Sequence, residues 1–148
     1  MELRRARLRE ETNQGDGEYK MTATPTVRHV EETEEERWSD TRAKISFRTT
    51  IGDGETPTEG LCSGVARLEP GGWLSLHRHP VTEVYQLLTG QGVVTLEDVD
   101  HAVRAGSCVY IPPNREHGIR NTGNVPLEFM FVFQADSIND VEYIWSEN

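Results

Sequence analysis

No apolar run in this chain approaches the ~20 residues that a membrane-spanning helix requires. The first residues, MELRRARLRE, are basic, but no apolar stretch follows them, so they do not form a secretory signal. The expected location is therefore cytoplasmic. Positive charge is scarce: 15 Lys and Arg against 25 Asp and Glu give a formal net charge of −10. Such a surface repels nucleic acid and anionic membranes, because both need a basic footprint. Neither is expected as a partner. An anionic small substrate is not excluded, since a local cation reverses the potential inside a pocket. Cysteine is scarce as well. Cys62 and Cys108 stand in no C-x-x-C pair and read as two reduced thiols. No segment keeps a 3.6-residue apolar period over three turns, which argues against long amphipathic helices.

What the chain does have is a series of short apolar segments. Its 148 residues suit one domain with a single core. Residues 1–26, with NQGDGEYK and TATPT, are polar and aperiodic and are expected to form a disordered or extended tail. The domain is expected over residues 27–148. The acidic run EETEEERW, residues 31–38, reads as a solvated charge run with Trp38 as an anchor, or as one turn of helix. From Lys44 onward, KISFRT, CSGVARL, WLSLH, EVYQLL, GVVTLE, SCVYI and PLEFMFVF alternate with turn residues. Runs of four to eight residues rich in Val, Ile, Leu and aromatics predict an all-β sandwich or barrel.

One stretch, GGWLSLHRHPVTEVYQLLTG at residues 71–90, carries ligand chemistry. In a strand, His77 and His79 point to one face, close enough to converge on a single ion. Pro80 ends that strand, the chain turns through Val81 and Thr82, and Glu83 opens the next strand. A second block, GSCVYIPPNREHGIRN at residues 106–121, is again strand, turn, strand. Asn114 occupies a turn position that calls for a left-handed residue, and His117 follows. Glu83 and Tyr85 share strand parity, so a Glu83 facing an ion puts Tyr85 in the same cavity. There it is a general base, through a phenol whose pKa a cation lowers, or a barrel filler. Trp73 shares parity with His77. Phe129, Phe131 and Phe133 alternate along one face near the end. Tyr143 and Trp145 sit on one face of a final strand that closes the barrel mouth or simply docks the terminus.

The two blocks resemble the two motifs of the cupin superfamily, from Gly71 through His77, His79 and Glu83 to Gly90, and from Gly106 through Pro112 and His117 to Asn121. Asn114 stands where that superfamily usually has Gly. The resemblance implies a single-domain double-stranded β-helix, or jelly-roll barrel, and the metal ligands His77, His79, Glu83 and His117. Three His and one Glu leave open positions on a six-coordinate divalent ion. Fe(II) is the first choice, and Mn(II), Ni(II), Co(II) and Zn(II) are compatible. Pairing as a homodimer through barrel edges is expected.

From about Trp38 to Tyr143 the chain also resembles the small single-domain dimethylsulfoniopropionate lyases. The carrying features are HRHPVTEVY, YIPPNREHGIRN and PLEFMFVFQADSINDVEY. That resemblance implies a β-elimination giving dimethyl sulfide and acrylate. Tyr85 would be the base, with Tyr143 as second candidate or helper, and Trp73, Tyr85 and Phe131 would surround the sulfonium. The alternatives are an Fe(II) dioxygenase of a small organic substrate, a non-enzymatic small-molecule or metal-binding barrel, and a sugar-phosphate isomerase. The last would call for a basic pocket, whereas Arg78, Arg115 and Arg120 read as surface residues.

Overall fold

The computed structural model describes residues 23–147. The expected tail falls outside them, apart from residues 23–26, which form no regular element. The described chain is almost entirely strand: β1 (Glu35–Ser39), β2 (Ala43–Ile51), β3 (Cys62–Leu68), β4 (Trp73–Arg78), β5 (Glu83–Thr89), β6 (Gln91–Leu96), β7 (Val99–Arg104), β8 (Cys108–Ile111), β9 (His117–Arg120), β10 (Leu127–Phe133) and β11 (Ile144–Trp145). The helical content among these residues is two 3-10 turns, Val30–Glu32 and Ile138–Asp140.

The strands form one curled sheet in the order β7-β6-β9-β4-β2-β3-β10-β5-β8, with β1 on β2 and β11 on β4. Every pairing is antiparallel. The order is far from sequential, so β4, β5 and β9, which carry the motif residues, are brought round one interior. Strict alternation puts Cys62, Gly64, Ala66 and Leu68 inward on β3 and Glu83, Tyr85 and Leu87 inward on β5. Leu127, Phe129, Phe131 and Phe133 do the same on β10. The register stacks these into rows. One runs Cys62–Phe133–Glu83–Ile111 and the next Gly64–Phe131–Tyr85–Val109. Gly64 is required there, because a Cβ would lie 2.4 Å from Phe131 Cζ and 2.3 Å from the Arg48 carbonyl oxygen. Asn114 has φ 61°, the left-handed conformation expected of it. Its N–H donates to the His79 carbonyl at 2.8 Å and ties the two motif blocks together.

The acidic run departs from the helical option. Only Val30–Glu32 makes a 3-10 turn, and Glu35–Ser39 pairs with β2. Trp38 decides this: its ring packs at 5.0 Å from Trp145 and 5.8 Å from Tyr143, and an extended backbone delivers it there. Cys62 is buried and Cys108 exposed, and both thiols are free.

The β6–β7 hairpin closes through Glu97 and Asp98, between paired Leu96 and Val99. Both turn residues have positive φ, 45° and 69°, which L side chains resist. Such two-residue turns favour Gly at the second position. Asp98→Gly is therefore expected to stabilise the protein by about 1 kcal/mol. Urea unfolding of the two proteins checks this, read as a higher midpoint with an unchanged slope.

Candidate metal centre and its cavity

His77 and His117 face each other across the β4–β9 pairing, with ring centroids 4.2 Å apart. His79 lies just past the end of β4, 4.8 Å from the His117 ring. Glu83 opens β5 on the opposite wall. All four side chains are buried, at 0%, 1%, 0% and 2% exposure for His77, His79, His117 and Glu83. One ring nitrogen from each of the three histidines lies within 4.8 Å of the others. Glu83 Oε2 approaches His79 Nε2 to 2.8 Å and His117 Nε2 to 3.2 Å.

The backbone dictates the protonation of this group. Nδ1 of His77, His79 and His117 contacts the carbonyls of Ser75, Val81 and Arg115, at 2.7, 2.8 and 2.8 Å. A carbonyl only accepts, so each Nδ1 carries the hydrogen and donates it. In the neutral ring Nε2 is then bare, and all three bare nitrogens aim inward. Facing them is a carboxylate, which also only accepts. Nε2 of His77 has no hydrogen-bond partner at all, although it is buried. When the rings are neutral, four lone-pair donors converge, an arrangement that a cation entering between them relieves. Backbone carbonyls that fix the far ring nitrogen are the usual outer support of a metal-bound histidine. The residues thus fit a divalent metal, and the donor set of imidazoles and one carboxylate suits Fe(II), Mn(II), Ni(II), Co(II) and Zn(II) alike.

Burial pushes the His77 imidazole down to about 3 from an ordinary 6.5, helped by the adjacent His117 and His79 and opposed by the Ser75 carbonyl. Between these values the unfolded chain binds a proton that the folded chain refuses. Stability of the metal-free protein should therefore fall as pH drops from 6.5 towards 3, by about 1.4 kcal/mol per pH unit from this group. Urea unfolding at a series of pH values across that window, with chelator present, measures the slope.

Beside the ligands lies an apolar cavity of ≈ 90 Å³. Glu83, Tyr85, Tyr143, Phe131, Phe47 and Trp38 contribute to its wall, and no Lys or Arg does. Tyr85 is 1% exposed, with its ring 4.5 Å from Phe129 and 6.1 Å from His117. Tyr143 packs closer to the ligands, 4.6 Å from the His77 ring and 5.6 Å from His79. Burial first, then the Glu83 carboxylate, push both phenols well above their ordinary 10.

Trp73 is placed elsewhere. A bulge between Leu74 and His77 breaks the parity that the spacing suggested, so Leu74 joins His77 inside. Trp73 pairs instead with exposed Lys44 and Arg120 and lines a groove on the outer face. Trp38 is the indole that lines the cavity. Its signal in the sequence was only an aromatic ending an acidic run. Arg78, Arg115 and Arg120 are exposed, and the last two pair with Glu97 and Asp100.

A jelly-roll barrel presenting convergent imidazoles and a carboxylate on its inner wall defines a class of small β proteins. The chain matches the cupin domain model over residues 64–133, and it belongs to the cupin family. It is 37% identical over 103 residues to the dimethylsulfoniopropionate lyase DddW of Ruegeria pomeroyi, across 70% of this chain and 67% of that one. The solved structure of a predicted oxalate decarboxylase from Thermotoga maritima matches with TM-score 0.66 and 28% identity, over 74% of this chain and 99% of that one. A chain from the crystal structures of the dimethylsulfoniopropionate lyases RdDddP and RnDddQII matches with TM-score 0.60 and 21% identity, over 70% and 53%, a likeness of fold. No helix among the described residues is long and apolar enough to cross a membrane.

Proposed function

We propose that this cupin is a metal-dependent carbon–sulfur lyase that cleaves dimethylsulfoniopropionate to dimethyl sulfide and acrylate. The observation that carries the reading is the adjacency of two features. Four inward-facing ligand side chains, His77, His79, His117 and Glu83, converge beside a cavity whose wall holds two tyrosines and no basic side chain. The likeness to DddW supports the same reading.

His77, His79, His117 and Glu83 would hold a divalent cation, which would supply positive charge for a substrate carboxylate and for the negative charge growing at the α-carbon. The chain's own groups do the rest. Tyr85 accepts the α-proton, with Tyr143 as helper. The C–H electron pair becomes the double bond of acrylate, and the C–S pair leaves on sulfur as dimethyl sulfide. A phenol raised by burial and by Glu83 is a poor base by itself. Its use as one depends on nearby positive charge to lower it. The apolar wall, Phe131 included, excludes water from the reacting bond. We place the protein in the cytoplasm, with Fe(II) as the first metal to test, and expect a homodimer. The exposed Val99 and Tyr110 on the two terminal strands of the sheet path offer apolar edge surface for pairing.

An Fe(II) dioxygenase is the rival that the same ligands allow. Metal-loaded protein given dimethylsulfoniopropionate should release dimethyl sulfide into the headspace with no uptake on an oxygen electrode. Oxygen consumption without dimethyl sulfide would move the assignment to the dioxygenase.

A further inference from the structure

Three tryptophans stand in the chain, and the structure gives each a different fate. Trp73 faces the outer groove. Trp145 already carries the Arg42 guanidinium over its ring, at 5.4 Å. Trp38 lines the cavity that also holds Glu83, Tyr85 and Tyr143. Its indole is held in place: Nε1–H donates to Asp40 Oδ2 at 2.9 Å, and Tyr143 and Trp145 meet it edge-on at 85° and 84°. Its neighbour on β2, Ile45, completes that side of the cavity.

The cavity therefore has two unlike ends. One is the ligand cluster, suited to an anionic head. The other is aromatic and carries no formal charge, and an indole is the strongest ring for a methylated cation. A second anionic group, as in a dicarboxylate or a sugar phosphate, finds no Lys or Arg in the wall to receive it. Tyr143 touches both ends, with its ring 4.6 Å from His77 and 5.8 Å from Trp38, so the two are one ring apart.

We propose that Trp38 is the specificity-determining residue of this cavity, selecting carboxylates whose far end is a methylated onium group, sulfonium or quaternary ammonium. This rests on the lyase reading for its natural substrate, yet it concerns binding and is measured without turnover.

The test is isothermal titration of metal-loaded protein with 3-(trimethylammonio)propionate, whose far end is cationic, and with its isostere 4,4-dimethylpentanoate, whose far end is neutral. The wild type should bind the cationic ligand more tightly. Trp38→Leu should lose that preference, with affinity for the cation falling about 3- to 30-fold and affinity for the neutral ligand much less. Trp38→Phe keeps a ring and should retain part of the preference, which separates a lost quadrupole from a disturbed fold. Circular dichroism and metal content confirm that each variant is intact. A wild type that does not distinguish the two ligands overturns the proposal, as does an intact Trp38→Leu that keeps the full preference. If the onium preference is present and Trp38-dependent while no dimethyl sulfide is ever released, the lyase reading fails and the specificity assignment stands. If dimethyl sulfide is released and an intact Trp38→Leu leaves KM unchanged, the specificity assignment fails and the lyase reading stands.

Discussion

Replacing Tyr85 by Phe should lower dimethyl sulfide release by about 10²- to 10⁴-fold, the usual worth of a positioned general base. Bound metal should not change. The ring volume is kept, and the phenol oxygen is not one of the four converging donors. Tyr85 sits in the middle of a strand paired on both sides, with Phe131 and Val109 as its direct neighbours. Its position is set by the barrel itself. Tyr143 lies between the Ile138–Asp140 turn and the two-residue strand β11, a lighter tether. Tyr143→Phe is accordingly expected to cost less than Tyr85→Phe. A Tyr85→Phe protein that loses its metal would make Tyr85 a structural residue or a ligand. One that keeps full activity would pass the base role to Tyr143. Metal analysis and headspace gas chromatography on the same preparations distinguish these outcomes.

The second large effect is expected at the ligands. His117→Ala removes one of three bare nitrogens and leaves Glu83 facing His79 across a cavity. Bound metal should fall well below one ion per chain, and activity should fall with it. Chelation of the wild type should do the same, and a divalent ion should restore activity to the wild type alone. Metal should also stabilise the fold, because it relieves acceptors that otherwise face one another. At a free concentration about 1,000 times Kd the gain is about 4 kcal/mol, or roughly 8–16 °C in Tm for a chain of this size. Differential scanning calorimetry with and without metal measures it. A metal-free protein as stable as the loaded one would remove the electrostatic argument for the site.

Much of this was readable in the residues because strand geometry is periodic. The spacing of His77 and His79, and of Glu83 and Tyr85, translates directly into shared faces, and the sheet keeps the second pair to it. The first pair is less simple. His77 ends an interrupted register and His79 lies beyond the strand, so their convergence comes from the bulge and the turn as much as from parity. The same bulge turned Trp73 outward, and no sequence pattern marked it. The hairpin at Glu97 and Asp98 was nearly as silent, since Glu97 is not a favoured turn former and no Gly follows Asp98, although both residues take positive φ. Trp38 was missed as a cavity residue because the acidic residues before it look solvated. Their strand lies at the sheet surface, with Glu35 and Arg37 paired to each other in solvent. Only tertiary pairing with β2 reveals that one residue of that strand reaches inside.

The most direct test of the central claim is dimethyl sulfide release from dimethylsulfoniopropionate by the metal-loaded protein, compared with the same substrate deuterated at the α-carbon. Release is expected from both, slower from the deuterated compound, and none after chelation. Absence of dimethyl sulfide with Fe(II), Mn(II), Ni(II), Co(II) and Zn(II) alike would contradict it.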